Sequence, residues 1–124
     1  MVHARLKKTG EEYAVKIMEK RFIKKENKVK FVMMERTVFA RVSHKRIVKL
    51  FFTFQDQSYL YMVMELCSGG DLYSRDPYTE DQASRIVGSI LSAVSYMHKH
   101  NVIHRDLKYE NIMFANASPN AEVK

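Results

Sequence analysis

Two hydrophobic periods alternate along the chain. From Tyr13 to Met18 apolar and polar residues alternate with a period of two, which predicts a strand carrying Ala14, Lys16 and Met18 on one face. The residues Arg5 to Lys8 lie across the turn signal Thr9-Gly10, so the two stretches are expected to form a hairpin. Between Glu26 and Val42 the spacing becomes helical, with Val32, Phe39 and Val42 along one side. Two further strands, Ile47 to Phe54 and Tyr59 to Leu66, flank the polar link Gln55-Asp56-Gln57-Ser58. The expected product is a small sheet with one helix against it.

The apolar run stops at Cys67-Ser68-Gly69-Gly70-Asp71, where paired glycines predict a hinge. Thr79, with Gln82 three residues later, has the spacing of a capping box. Beyond it Ala83, Ile86, Val87, Ile90, Leu91, Val94, Met97 and His98 trace one helical stripe, and Asn101 is placed to end it. Short apolar runs, Val102-Ile103 and Ile112-Met113-Phe114, then bracket the polar octet His104 to Asn111. The tail turns at Ser118-Pro119-Asn120 and ends on Glu122-Val123-Lys124, the expected start of another strand. No repeat or low-complexity segment interrupts this order.

Composition narrows the setting. With 124 residues, 46% hydrophobic and 28% charged, the chain has the make-up of one globular domain rather than a disordered segment. Its net charge of +7 is concentrated between Lys16 and Lys49, where bases are interspersed with apolar residues. That spacing suits the solvated side of packed elements better than a nucleic-acid or lipid surface, so neither partner is expected. Cys67 stands alone, which excludes an internal disulfide and a cysteine-based metal site and points to a reducing compartment. The N-terminus has no signal-like apolar core, and no apolar run approaches the roughly 18 residues of a membrane span. A soluble cytoplasmic protein is expected, with the nucleus left open. His98, His100 and His104 are read as structural rather than as a metal site, because His98 falls on the helical stripe.

Glu35 is the charged residue out of place. Its neighbours one helical turn away, Phe31, Val32, Val38 and Phe39, are all apolar, and no base shares its helix face. An unpaired buried charge costs about 3–5 kcal/mol. Either Glu35 sits at the edge of the stripe, or a cation from another element reaches it. Lys16, beside the small Ala14, is the natural candidate.

The octet His104-Arg105-Asp106-Leu107-Lys108-Tyr109-Glu110-Asn111 is expected to be a tight loop between buried segments, which lets Asp106 and Asn111 face one site. Aspartate can take a proton from a hydroxyl, lysine can neutralise a phosphate, and an asparagine oxygen can hold Mg²⁺. Together these suit phosphoryl transfer.

The pattern His-Arg-Asp-x-Lys-x-x-x-Asn resembles the catalytic loop of eukaryotic protein kinases. A chance match to its five fixed positions is on the order of one in 10⁴ to 10⁵ for a chain of this length. Tyr13-Ala14-Val15-Lys16 resembles the family's V-A-I-K strand, Glu35 stands where the family's helix glutamate pairs with that lysine, and Met64-Glu65-Leu66-Cys67 looks like the segment bordering the adenine. The fold implied is α+β, a truncated two-lobe protein-kinase-like fold. Residues 1–66 would form an N-lobe without its glycine-rich loop, 67–71 a hinge, and 72–124 the start of a helical C-lobe.

The resemblance also implies ATP and Mg²⁺ as cofactors and a protein serine or threonine hydroxyl as acceptor, and leaves room for a regulatory partner. Lys16, held by Glu35, would contact the α- and β-phosphates. Asp106 would be the general base, Lys108 would steady the transferred group, and Asn111 would bind metal. Ala14 and Met113 would lie above and below the adenine, with Met64 as gatekeeper. Backbone at Glu65 and Cys67 would bond the purine edge, and Asp71 the ribose. Lys108 is similar to serine/threonine rather than tyrosine kinases, and the chain looks closest to the calcium/calmodulin-dependent and AGC groups.

The likeness has gaps. The four glycines, at 10, 69, 70 and 88, leave no G-x-G-x-x-G before Lys16, and no aspartate follows Asn111 to supply a D-F-G ligand. Tyr109 replaces a common proline, and Leu72 to Pro77 is short for the helix expected there. The expectation is therefore a kinase fragment, inactive alone and poorly packed around the Ala83 stripe. The alternative is a catalytically dead module that binds nucleotide or protein.

Overall fold

The alternation at Tyr13 to Met18 produces the strand that organises the first part of the chain, in a computed structural model describing all 124 residues. Strands β1 (Val2–Arg5), β2 (Glu12–Glu19), β3 (Leu50–Gln55) and β4 (Tyr59–Glu65) form one antiparallel sheet in the order β1-β2-β4-β3. With helices α1 (Lys20–Lys25) and α2 (Val29–Arg41) it forms the first of two units, Met1–Val42 with Lys49–Leu66.

The first hairpin differs from expectation. Its leading strand is Val2–Arg5, not Arg5 to Lys8, with Val2 opposite Val15 and Arg5 opposite Glu12. The Leu6 N–H donates to the Glu11 carbonyl and the Gly10 N–H to that of Leu6, so Lys7 to Gly10 are spent on the turn. Gly10 lies at φ +77°, a conformation that favours glycine. The Arg5 guanidinium, 2.9 Å from Glu12 Oε1, ties down the register.

The helix expected from Glu26 is also corrected. A separate helix, α1, comes first and closes on a Schellman motif: Asn27 lies at φ +54°, its N–H donates to Lys24, and the Lys28 N–H donates to Ile23. That left-handed residue forces α2 to begin at Val29. No residue of α2 is fully buried; Val32, Val38 and Phe39 are half-buried, while Phe31 is 64% exposed. The strand expected from Ile47 starts at Leu50, because the Ile47 N–H closes a turn onto His44.

Ala14, Met62 and Met64 are buried on the sheet face that bears Lys16, and Met62 is wholly inaccessible. Helix α2 lies over this face, with Arg36 Nε donating to Thr53 Oγ1 at 3.2 Å.

The second unit comprises Ser43–Val48 and Cys67–Lys124. Helix α3 (Glu80–Lys99) starts at the expected capping box: Thr79 Oγ1 accepts from the Gln82 N–H, and Gln82 Oε1 from the Thr79 N–H. It ends on a second Schellman motif, with Asn101 at φ +60°, its N–H on His98 and the Val102 N–H on Met97. Leu72, Ile112, Phe114 and Val123 form the buried core, joined by Ile86 and Ile90 from α3. The rest of the stripe is only partly covered. Met97 is buried, as is Ala93, which the expected stripe omitted, but Val87 and Leu91 are 51% and 61% exposed and His98 is exposed. Leu72 to Arg75 form a 3₁₀ turn, which fits the short stretch before Pro77. The tail pairs as isolated bridges: Phe114 opposes Val123, and Met113 and Lys124 exchange N–H to carbonyl bonds. No helix is long and apolar enough to cross a membrane.

Candidate active site

In the first unit, β2 carries Lys16 and α2 carries Glu35, 19 residues apart in sequence. Lys16 Nζ lies 2.9 Å from Glu35 Oε1, so the cation expected to reach Glu35 does so. Their side chains are 37% and 43% exposed, which makes this a half-solvated pair rather than a buried one. The penalty of an unpaired buried charge therefore does not apply, and such a pair is worth at most about 1 kcal/mol. Its value is positional: it fixes the lysine against the helix.

Ala14 and Met64 are directly opposite across β2 and β4, both buried. The small residue leaves the strand surface low beside the gatekeeper candidate. The Glu65 N–H donates to the Lys49 carbonyl at 2.8 Å, and its Oε2 accepts from the Lys49 N–H. A groove of about 310 Å³ between α1, α2 and the sheet has Ile23, Val32 and Leu60 in its apolar wall and Lys20, Lys24 and Arg36 at its rim. No sequence period marked it, since its residues come from four elements.

In the second unit the octet forms an irregular loop ending in a 3₁₀ turn, Tyr109–Asn111, but only one of its flanks is buried as expected: Ile112 and Phe114 are buried, whereas Ile103 is 71% exposed. Arg105 lies at φ +76°, and the Asp106 N–H donates to His104 Nδ1 at 3.1 Å. Asn111 Nδ2 donates to both the Asp106 carbonyl, at 2.8 Å, and Asp106 Oδ2, at 3.1 Å. Because both partners only accept, the amide nitrogen must face Asp106, which turns Asn111 Oδ1 away as a hard oxygen donor. Lys108 Nζ stands 3.5 Å from Asp106 Oδ2, and the Asp106 side chain is 67% exposed. The loop is anchored on its far side by buried Ile112 and by Met113, which bridges to Asp71. Asp71 also caps the Leu72 turn, its Oδ1 accepting from the Ser74 N–H. Cys67 is half-buried at the start of this unit. No three His, Cys, Asp or Glu side chains converge as a metal site.

Arg75 carries a role the sequence did not signal. Its guanidinium donates to the carbonyls of Gly69, Asn116 and Ser118 and stacks 4.0 Å from the Phe114 ring centroid. A Cβ at Gly69 would meet the Asn116 carbonyl oxygen at 2.1 Å, so glycine is required by contact. Tyr109, in place of the common proline, makes an edge contact with Tyr73 at 5.1 Å.

Comparison with known proteins agrees with this geometry. The family model for the protein kinase domain matches residues 1–124. The chain is 44% identical over 117 residues to 3-phosphoinositide-dependent protein kinase 1 of Arabidopsis thaliana, covering 91% of this chain and 24% of that protein. It is 45% identical over 117 residues to the putative 3-phosphoinositide-dependent protein kinase 2 of Homo sapiens, covering 91% and 30%. Over 118 residues it is 38% identical to calcium/calmodulin-dependent protein kinase type 1 of Caenorhabditis briggsae, covering 92% and 33%. The chain thus spans about a quarter to a third of the length of these curated relatives. A four-stranded antiparallel sheet with a lysine–glutamate pair, followed by a helical unit carrying the His-Arg-Asp loop, is the kinase pattern, and the chain belongs to the protein kinase family.

Proposed function

We propose that this chain supplies the phosphate-gripping lysine and the catalytic loop of an ATP-dependent kinase acting on serine or threonine hydroxyls of proteins. The observation that carries the reading is the Asp106–Asn111 pairing with Lys108 beside it, which aligns a proton acceptor, a cation and a hard oxygen donor within six residues. Asp106 takes the proton of the acceptor hydroxyl, with Oδ2 engaged by Asn111 and Oδ1 turned to that task. Lys108 balances the charge of the transferred group. Asn111 Oδ1 fits Mg²⁺, which takes one or two protein oxygens and completes its shell with water and phosphate.

Lys16, steadied by Glu35, holds the α- and β-phosphates of ATP. For the adenine, the first unit would offer Ala14, Met64 and the backbone at Glu65, and the second the backbone at Cys67 and Met113, with Asp71 for the ribose. Bound Mg-ATP provides the phosphoryl group and neutralises its charge. A regulatory partner has a place in the groove rimmed by Lys20, Lys24 and Arg36. The lone cysteine supports a cytoplasmic setting.

The test is transfer of labelled γ-phosphate to serine and threonine peptides by the longest natural product containing residues 1–124, against its Asp106→Asn variant. Transfer that the substitution abolishes supports the reading. Mg-ATP binding that depends on Lys16, without transfer to any hydroxyl, would replace it with a nucleotide-binding module.

A further inference from the structure

The sheet face opposite Lys16 has no covering layer. Directly opposite residues of antiparallel strands share a face, so the register gathers Val15, Val63, Ile17, Phe52 and Phe54 on it. Val15 and Val63 are buried at its centre, while Phe52 and Phe54 are 58% and 54% exposed and Ile17 is exposed. Phe54 stacks on Tyr61 at 4.6 Å, making a continuous aromatic surface. Exposed apolar area gathered in this way marks an interaction surface.

Carboxylates border this face, with Lys20 Nζ of the same chain already 2.6 Å from the Asp56 carbonyl, so Glu11 and Glu19 give it its acidic character. The Tyr13 hydroxyl donates to Glu11, the Tyr61 hydroxyl to Asp56, and Glu19 stands opposite Tyr59. Lys49 Nζ already sits 5.2 Å from the Phe51 ring centroid, so a cation is accommodated on these rings. Aromatic rings bordered by carboxylates suit a segment that is both cationic and apolar. They disfavour an anionic membrane, and they disfavour a second copy of the same face.

The chain itself has a segment of the matching character. Lys20 to Met34 contains six bases and one acid. It exposes Phe22, Phe31 and Met34, whose apolar side chains lie among those bases. We propose that the aromatic sheet face of one copy receives the basic Lys20–Met34 segment of a second copy. The contact is heterologous, because the filled patch differs from the segment that fills it.

Sedimentation velocity of the 124-residue chain tests this at low and high salt. The chain should associate with rising concentration, and added salt should weaken that association. A receiving-face variant, Phe52→Ser/Phe54→Ser, and a donor variant, Phe22→Ser/Phe31→Ser, should each associate at least about tenfold more weakly, the loss expected when interface anchors are removed. Mixed at equal concentration, they should recover a discrete one-to-one dimer, since each retains the surface that the other lacks. Glu11→Lys/Glu19→Lys mixed with Lys24→Glu/Lys25→Glu, four exposed charge changes that spare the apolar packing, should also regain association, here not limited to two copies because the original and the reversed charge pairings are both available. Failure of both mixtures to associate overturns the proposal. So does association unchanged by the variants, which would place the contact elsewhere, as does binding to phosphatidylserine vesicles that Phe52→Ser/Phe54→Ser abolishes.

Discussion

The two charged constellations are built by opposite means. Lys16 and Glu35 meet because a strand and a helix, each regular, hold side chains 19 residues apart in register. Asp106, Lys108 and Asn111 meet within six residues, through an irregular backbone pinned by its own amides and by the buried Ile112. The first pair depends on tertiary packing. The second needs little beyond a local loop and an anchor. The pair should therefore respond to changes that loosen the sheet or α2, whereas the loop should respond to changes at its anchor and tolerate substitution at its exposed tip.

Asp106→Asn should separate chemistry from folding most widely. If Asp106 is the general base proposed above, phosphotransfer should fall by about 10²- to 10⁴-fold. The thermal midpoint should barely move, since the side chain is mostly exposed. A parallel loss of stability would show that the loop is not locally built.

The anchor of the same unit is the next place to press. Gly69→Ala forces a methyl group into the Asn116 carbonyl and should cost about 1–3 kcal/mol in urea unfolding. Thr79→Ala removes one side of the capping box and should cost about 1 kcal/mol, read as a lower midpoint. Glu35→Gln should shift unfolding by less than about 1 kcal/mol while weakening Mg-ATP binding, because the pair positions a lysine rather than stabilising the fold. A large stability loss would mean the pair is more deeply desolvated than its exposure indicates.

The smallest effect is pH-dependent. The Tyr61 hydroxyl, followed by the N–H groups of Tyr59 and Ser58, holds the Asp56 carboxyl below its ordinary value. A lowered folded-state pKa contributes stability above the unfolded value, near 3.9, that is lost as pH falls through the folded value. Tyr61→Phe should therefore shift the urea midpoint at neutral pH, and the difference from the parent should shrink as the solution is acidified. A difference that persists in acid would assign the effect to ring packing.

What the sequence revealed follows the same division. Strand β2 and helix α3 were legible because their periods are long and α3 carries both end signals, Thr79 and Asn101. Helix α1 was not, since six residues hold too few turns for a period to emerge, and its boundary depends on the left-handed Asn27. The first strand slipped because Arg5 to Lys8 has no apolar alternation to fix register; the Arg5–Glu12 contact supplies it. Glu35 was matched to Lys16 by an argument about burial, yet the structure leaves both half-solvated. The His-Arg-Asp loop was recognisable as a motif, but the orientation of the Asn111 amide requires the folded backbone. Arg75 was invisible because its partners are carbonyls, which carry no sequence signature.

Helix α3 has a consequence for how the chain is made. Its first turn is closed by Thr79 and Gln82, and its last by Asn101 and Val102, all within one continuous stretch. In hydrogen-bonding terms the helix is complete once Val102 has emerged from the ribosome, before the octet that follows it has emerged. Synthesis thus presents a finished cylinder against which the later backbone can settle, and its still-bare Val87 and Leu91 are the surface a chaperone would meet first.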